Sequence, residues 1–385
     1  MGIVGIDFGT STTLVAVWKQ GKPQLLRDSD GLELTPSVVA YLPGDRVQVG
    51  ARAALRRGID PENTLYSVKR IAGRRWFDQE VVDFRESTPM KLERGGDGVP
   101  RFITRKGQLL PVDVIAHQLS VVRHYAGFPA GELKNAVLCV PPSYGPEQVL
   151  SLCNAARKAG FNRVGTIDEP YAAVVPYLER LSGERNVAVY DLGGGTFDLA
   201  VLRVRGLSHR VIASGGDPYL GGDDVDHALA NLIANRVLQE HRWDLRGERS
   251  IFARLLVAAE KAKLALSLQP SVTVRLDIID PTLAGKTLEI GREAFDRAIH
   301  ELVQRSFALC DEVLLEAGLP VQAIDDVILA GGSTYLPAVR AAVESYFGKR
   351  PLYDLAPDRT VAQGACISAA LQAGEMHGGA RVVPA

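Results

Sequence analysis

A duplicated α/β protein of two lobes is predicted by three features of the sequence. A short apolar strand runs into an aspartate, a glycine turn and a hydroxyl residue, then into a second apolar strand, in GIVGIDFGTSTTLVAVW (Gly2–Trp18). The same pattern returns about half a chain later in NVAVYDLGGGTFDLAVLRV (Asn186–Val204). After each copy, strand-like and helix-like segments alternate, as expected of sheets layered with helices.

In the first half, the Gly2–Trp18 hairpin is followed by β-type segments at Gln24–Arg27 and Ser37–Leu42. Turns and charges dominate Pro43–Gly107, with helical pieces expected near Gly50–Arg57 and Thr64–Ala72, so this stretch reads as an inserted subdomain. Pro111–Tyr125 carries helical periodicity, with Val114, Ile115, Leu119 and Val122 on one face. A buried strand at Ala136–Val140 stops at Pro141-Pro142, and a helix over Glu147–Ala159 stops at Gly160. Val164–Ile167 is a strand and Pro170–Leu181 a helix.

The second half repeats the plan. The Asn186–Val204 hairpin leads to a strand near Arg210–Ser214, a helical region from Asp223 to Ser267, and a hairpin over Ser271–Gly291. The long helix Arg292–Ala317 ends at Gly318, strand Asp326–Ala330 meets Gly331-Gly332, and helices Tyr335–Phe347 and Thr360–Ala373 close the half. The expected division is a first lobe at 1–184 (core 1–37 and 112–184, insert 38–111) and a second at 185–373 (core 185–224 and 306–373, insert 225–305). A small, Gly-rich tail spans 374–385.

Composition sets bounds on function. The chain of 385 residues is 46% hydrophobic and 23% charged, with mean hydropathy +0.03, the balance of a soluble globular protein. Lys+Arg 44 against Asp+Glu 45 gives a net charge of −1. There is no general attraction to nucleic acid or to an anionic membrane. The four cysteines (Cys139, Cys153, Cys310, Cys366) form no CxxC pair, and Cys139, Cys153 and Cys366 fall in apolar segments, so the expectation is a reduced, cytoplasmic protein. A strand holding Asp7 at the N-terminus argues against a signal peptide, and no apolar run approaches the roughly 20 residues needed to span a bilayer. The seven histidines are spread singly, without zinc-ligand spacing.

An aspartate beside a tight glycine turn sets a carboxylate next to backbone N–H groups, which suits a phosphate chain carrying a metal ion. In the first copy, Gly9 opens the turn and Thr10, Ser11 and Thr12 add hydroxyls; in the second, Gly193, Gly194 and Gly195 leave almost no side-chain obstruction before Thr196. One such turn is ordinary; two in matched positions point to phosphate held between the lobes. Gly285-Lys286-Thr287 looks like the end of a P-loop, but Asp280 stands where the first glycine is required, so a surface hairpin turn is expected. No GxGxxG fingerprint occurs. Asp223, Asp224 and Asp226 lack the remaining ligands of a calcium loop and read as a helix N-terminus.

Seven motifs carry a family resemblance: IDFGTST (Ile6–Thr12), NTLYSVKRIAGRRW (Asn63–Trp76), DEPYAA (Asp168–Ala173), YDLGGGTFD (Tyr190–Asp198), LGGDDVD (Leu220–Asp226), EKAKLALS (Glu260–Ser267) and ILAGGSTYLP (Ile328–Pro337). From Gly2 to about Ala373 the chain resembles the nucleotide-binding domain of the seventy-kilodalton heat-shock chaperones, the DnaK type, within the actin-like (ribonuclease H-like) ATPase superfold. The resemblance implies two lobes, each with a mixed five-stranded sheet, helices near Pro170–Leu181 and Thr360–Ala373 crossing at the hinge, and an ATPase that binds ATP/ADP with Mg²⁺ and K⁺. It further implies a monomer that works with a J-domain co-chaperone and a nucleotide exchange factor. Filament-forming actin relatives, non-catalytic nucleotide-gated interaction modules and sugar kinases share the two loops and are the alternative readings. The chain stops where the family has a linker and a peptide-binding domain, and Arg381-Val382-Val383 is a candidate linker remnant.

Residue by residue, the resemblance assigns Mg²⁺ to Asp7 and Asp191 through water, and orientation of the attacking water to Asp198. Lys69 falls beside the γ-phosphate, Glu169 opposite it as proton acceptor or metal-water ligand, and Thr196 joins the catalytic set. By themselves, Lys69 reads as part of a solvated basic face in KRIAGRR and Glu169 as a helix N-terminal charge. Arg70, Arg74 and Arg75 are expected to be structural. The adenosine side falls to Glu260, Lys263, Leu264 and Ser267 on one helix, with Gly331, Gly332, Ser333, Tyr335 and Asp358 from the second half; Asp358 also reads as a helix cap.

Several positions depart from the family pattern. Tyr335 replaces an Arg that stacks on adenine, Leu264 replaces a second stacking Arg, and Ser11 replaces Thr. Pro141 matches the family's switch proline, whereas Val149 replaces the Arg that relays nucleotide state outward.

Overall fold

The computed structural model describes residues 3–122 and 133–372. The candidate linker remnant and the last residues of the helix expected to reach Tyr125 lie outside the described residues. Two sheets organise the chain. In the first, the strands run Arg163–Asp168, Asn135–Val140, Ile3–Phe8, Thr12–Lys19, Lys22–Leu25, with Thr35–Pro36 also paired to Thr12–Lys19. In the second, they run Ser208–Asp217, Phe197–Arg205, Glu184–Leu192, Asp326–Ala330.

The duplication is explicit in the pairing. Strand Ile3–Phe8 has an antiparallel partner in its own hairpin and a parallel partner at Asn135–Val140. Strand Glu184–Leu192 has an antiparallel partner at Phe197–Arg205 and a parallel partner at Asp326–Ala330. The expected count of five strands per sheet needs correction: among the described residues the first sheet has six and the second four. In the second sheet the place of a fifth strand is held by a single parallel bridge from Ile328 to Leu352. Pro351, which lacks an N–H, stands just before it and works against a longer ladder.

Hydrophobic cores hold these layers together. Along Glu184–Leu192, Ala188, Tyr190 and Leu192 point into the core of the second lobe, while Val187 and Val189 point into a core shared by both lobes. On the first sheet, Ala136, Leu138 and Val140 face the first lobe's own core, and Val137 and Cys139 face the shared one. Central strands buried on both faces explain why the sequence reads as continuous apolar runs rather than alternation. The shared core is filled by helices Glu169–Val174 and Thr360–Gln372. They cross so closely that a Cβ on Gly364 would sit 1.7 Å from the carbonyl oxygen of Ala172.

Helix Arg292–Ala317 and strand Asp326–Ala330 fall on their expected boundaries, with Gly318 in the left-handed region at the helix end. The helical region from Asp223 divides into Gly222–His241 and Arg249–Leu268. Two segments depart from expectation: the helix expected over Pro170–Leu181 is a short helix, Glu169–Val174, followed by a 3₁₀ turn, Val175–Tyr177, and Thr64–Ala72 is not a helix but a strand, Thr64–Leu65, and a 3₁₀ turn, Val68–Ile71. Ser67, at φ 53°, breaks any helix there. Helix Gln79–Ser87 and the three-stranded sheet of Leu92–Arg94, Pro100–Thr104 and Gly107–Leu109 add elements that the sequence pattern does not announce. All four cysteines are buried, and none is in a disulfide. Among the described residues no helix is long and apolar enough to cross a membrane.

Candidate functional site

The two hairpin turns are built alike and meet each other. Gly9 donates its N–H to the carbonyl of Thr12, and Gly193 donates to the carbonyl of Thr196, each at 2.9 Å. The loops then abut: a Cβ on Gly194 would fall 1.9 Å from the Ser11 hydroxyl oxygen, and one on Gly195 would fall 2.4 Å from Cγ2 of Thr10. Only glycine permits that approach. The carbonyl of Gly9 accepts from the Ser37 hydroxyl and that of Gly193 from the Ser333 hydroxyl, at 2.9 and 2.8 Å. Gly222 and Asp223, opening the next helix, donate to the carbonyls of Gly193 and Gly194. The Gly9 and Gly193 amides close the turns, and a glycine turn of this kind can present its other amides to an anion.

Between the loops lies a cavity of about 70 Å³. It gathers Asp7, Gly9, Thr10, Ser11, Thr12, Lys69, Glu169, Asp191, Gly193, Gly194, Thr196, Gly331, Gly332 and Asp358 from both lobes. Asp198 stands directly across the ladder from Asp191 and accepts from the hydroxyls of Ser143 and Thr196. A second cavity of about 240 Å³ shares Thr10, Ser11 and Thr12 and extends to Glu260.

The electrostatics are those of an acidic pit around a fixed cation. Lys69 is 4% exposed, not the solvated surface lysine of its basic run, and its ammonium lies 2.8 Å from Glu169. Burial pulls the Lys69 pKa down, but Glu169, Tyr144 and Asp7 outweigh it, so the group titrates above its ordinary value and stays charged. Burial, then Glu169, pushes Asp7 up to about 7 against the counter-pull of Lys69. The same two causes push Asp198 up to about 8. Asp191 is raised too, by burial and then by Glu169, Asp198 and Asp7. Carboxylates this strained toward neutrality are poised for a cation. Among the described residues no group of three His, Cys, Asp or Glu side chains is placed to hold a metal ion directly, while Asp7 and Asp191 both line the cavity.

Of the residues expected around adenosine, Gly331, Gly332 and Asp358 line this cavity, whereas Glu260, Lys263, Leu264, Ser267, Ser333 and Tyr335 do not. Glu260 pairs with Arg57 of the first lobe at 2.7 Å. Lys263 reaches the carbonyl of Gly222 and the carboxylate of Asp226, at 3.0 and 2.9 Å. Ser267 donates to the Lys263 carbonyl, and Leu264 is 60% exposed. A Cβ on Gly222 would meet Ser333, Lys263 and Gly194 together, which makes this surface continuous with the second loop. Tyr335 donates its hydroxyl to Asp358 at 2.9 Å, and the guanidinium of Arg340 lies 5.1 Å from its ring centre. Gly285 forms the expected turn, at φ 75°, and Asp223, Asp224 and Asp226 open helix Gly222–His241.

A family model described as "Hsp70 protein" matches residues 3–382. The chain belongs to the Hsp70 family. Among curated proteins it is similar to "Chaperone protein DnaK" from two strains of Thermus thermophilus, 38% identical to each over 381 residues. That alignment covers 97% of this chain and 61% of each relative, so this Hsp70-family chain spans under two thirds of their length.

Sequence reasoning leaves Arg70 without a role at the site, yet it is 7% exposed and paired with Asp224 at 3.0 Å. Its partner lies 154 residues away, and a run of basic residues gives no sign of which one is buried.

Proposed function

We propose that the cleft binds ATP with Mg²⁺ and hydrolyses the terminal phosphate, as the nucleotide-driven motor of an Hsp70-type chaperone. The observation that carries this reading is the meeting of two matched loops over a buried acidic pit containing a paired ammonium. The loop amides and the hydroxyls of Thr10, Ser11, Thr12 and Thr196 bind the phosphates. Asp7 and Asp191 would hold Mg²⁺ through water, and the ion when bound would supply neutralisation of charge on the phosphates. Asp198 orients the attacking water, Glu169 accepts its proton or a metal-water hydrogen bond, and Lys69 offsets negative charge that develops in flight. The chemistry is positioning and electrostatics without a covalent intermediate. Glu260, Lys263 and Ser267 meet the nucleoside, with Leu264, Gly331, Gly332, Ser333, Tyr335 and Asp358 completing its pocket; K⁺ follows from the family.

Because phosphate would bridge both loops, its loss relaxes the lobes about the crossing of Gly364 and Ala172, which gives a switch. A J-domain protein and an exchange factor are the partners this role requires, with Val149 in place of the relay arginine weakening the outward signal. Purified protein should turn over ATP in Mg²⁺, and Lys69→Ala should abolish turnover while ADP still binds. Wild-type protein that binds nucleotide without cleaving it would leave a gated binding module instead.

A further inference from the structure

We infer that Arg70 is a positioning residue that bolts the Lys69 turn onto the second lobe, so that closing the lobes tightens the hold that Glu169 and Tyr144 of the first lobe have on Lys69. Its kinetic consequence rests on the ATPase reading; its structural consequence does not.

Arg70 follows Lys69 on the turn Val68–Ile71, yet its side chain crosses to the other lobe. Its guanidinium lies 3.0 Å from Asp224 and 3.6 Å from Asp223 at the start of helix Gly222–His241. It also lies 4.9 Å from the ring centre of Tyr219. Its Nε is 2.9 Å from where a Cβ on Gly195 would be, so the arginine packs on the second phosphate loop itself. A guanidinium with a side chain only 5% exposed is tolerated because both carboxylates face it; buried alone it would be strongly unfavourable.

Ser67 fixes the other side of Lys69. Its hydroxyl donates to Asp223 at 2.6 Å, and its backbone sits at φ 53°, a left-handed conformation that a serine holds only under constraint. Ser11 of the first loop donates to the other oxygen of Asp223 at 3.3 Å. Lys69 is therefore bracketed by two residues anchored in the opposite lobe. Separating the lobes removes Asp223 and Asp224, releases the strained Ser67, and loosens the turn that aims the ammonium. Asp224 is itself held by the Gly221 N–H at 2.8 Å, so the anchor is rigid on its own side.

The test has two arms. In the nucleotide-free chain of 385 residues, Arg70→Ala should raise amide hydrogen exchange at residues 68–72 by about tenfold or more, as local opening becomes easier. Arg70→Lys should fall between. In single-turnover ATP cleavage, Arg70→Ala should lose about ten- to a hundredfold while ADP affinity stays within about threefold, the signature of a misplaced group rather than lost binding. Asp224→Asn should match it, and the double variant should be no worse than either single within about a factor of two. Unchanged exchange at 68–72, or multiplying losses in the double variant, would overturn the proposal. If wild-type protein cleaves no ATP, the functional reading fails, and the exchange arm alone decides the role of Arg70, with Arg70→Lys and Asp224→Asn serving if the alanine variant does not fold.

Discussion

The ammonium of Lys69 and the carboxylate of Glu169 form a buried ion pair at 2.8 Å, joining residues 100 positions apart around a pit that also holds Asp7, Asp191 and Asp198. The pair is unequal in its surroundings. Remove Glu169 and Lys69 still faces other carboxylates; remove Lys69 and four carboxyl groups share the pit with no ammonium. Breaking a buried pair from one side costs about 3–5 kcal/mol when the remaining charge is uncompensated. Lys69→Met should therefore destabilise nucleotide-free protein near pH 8 more than Glu169→Gln does, by urea unfolding. Added Mg²⁺ and ADP should narrow the gap. Equal losses in both variants would show that the carboxylates are not competing for Lys69.

Proton uptake gives a second prediction. Asp7 and Asp198 are pushed up from 3.8 to about 7 and about 8, chiefly by burial and then by Glu169, and Asp191 is raised as well. In the folded state these carboxyls keep protons that the unfolded chain has already lost. Their contribution is fully present below the unfolded value of 3.8 and is lost as pH rises through about 7 to 8. Stability of nucleotide-free protein should accordingly fall across that window. Mg²⁺ nucleotide favours the ionised carboxylates, so its binding near pH 7 should release protons. Calorimetry in buffers of different ionisation enthalpy measures this directly, and proton uptake or no exchange would contradict it.

The close crossing of helices Glu169–Val174 and Thr360–Gln372 makes a mechanical prediction. Gly364 has no room for a methyl group, since its Cβ would lie 1.7 Å from the Ala172 oxygen, whereas Gly291 has nothing within 4 Å of that position and φ −84°. Gly364→Ala should destabilise by about 1–3 kcal/mol or more through overpacking. Gly291→Ala should be close to neutral. Thermal melting of the two variants side by side is the check; a tolerated Gly364→Ala would mean that the helices can separate at little cost.

Much of this arrangement is legible in the sequence because it rests on short-range rules. The paired hairpins announce themselves through apolar strands and glycine turns, and Gly318 ends its helix by adopting φ 65°. Segment Thr64–Ala72 misleads because Leu65, Val68 and Ile71 are spaced as on a helix, while the contact that forbids one, Ser67 to Asp223, joins residues 156 positions apart. The small sheet within 92–109 escapes notice because its strands hold three to five residues, too few for alternation to show. At the site, side chains that touch phosphate-sized space follow from local motifs. Arg70 does not, because its burial is decided by the other lobe.

Tyr335 carries the last prediction. Where the family resemblance places an arginine, this chain has a ring that is 37% exposed, tethered by its hydroxyl to Asp358 at 2.9 Å and approached by Arg340 at 5.1 Å from its centre. If the ring forms one wall of the adenine pocket, its aromatic area matters more than its hydroxyl. Base stacking on an aromatic side chain contributes about 1–3 kcal/mol. Tyr335→Ala should then weaken ADP binding by roughly five- to a hundredfold. Tyr335→Phe keeps the ring and loses one partly exposed hydrogen bond, about 1 kcal/mol at most, so its affinity should stay within about fivefold of wild type. Tyr335→Arg would bring a second guanidinium against Arg340, with Asp358 to share, and should bind ADP more weakly than Tyr335→Phe at low salt and recover as salt screens the repulsion. Titration of a fluorescent ADP analogue across the three variants separates these effects. Equal affinity in the alanine variant and wild type would remove Tyr335 from the nucleotide site and leave it as the partner of Asp358 alone.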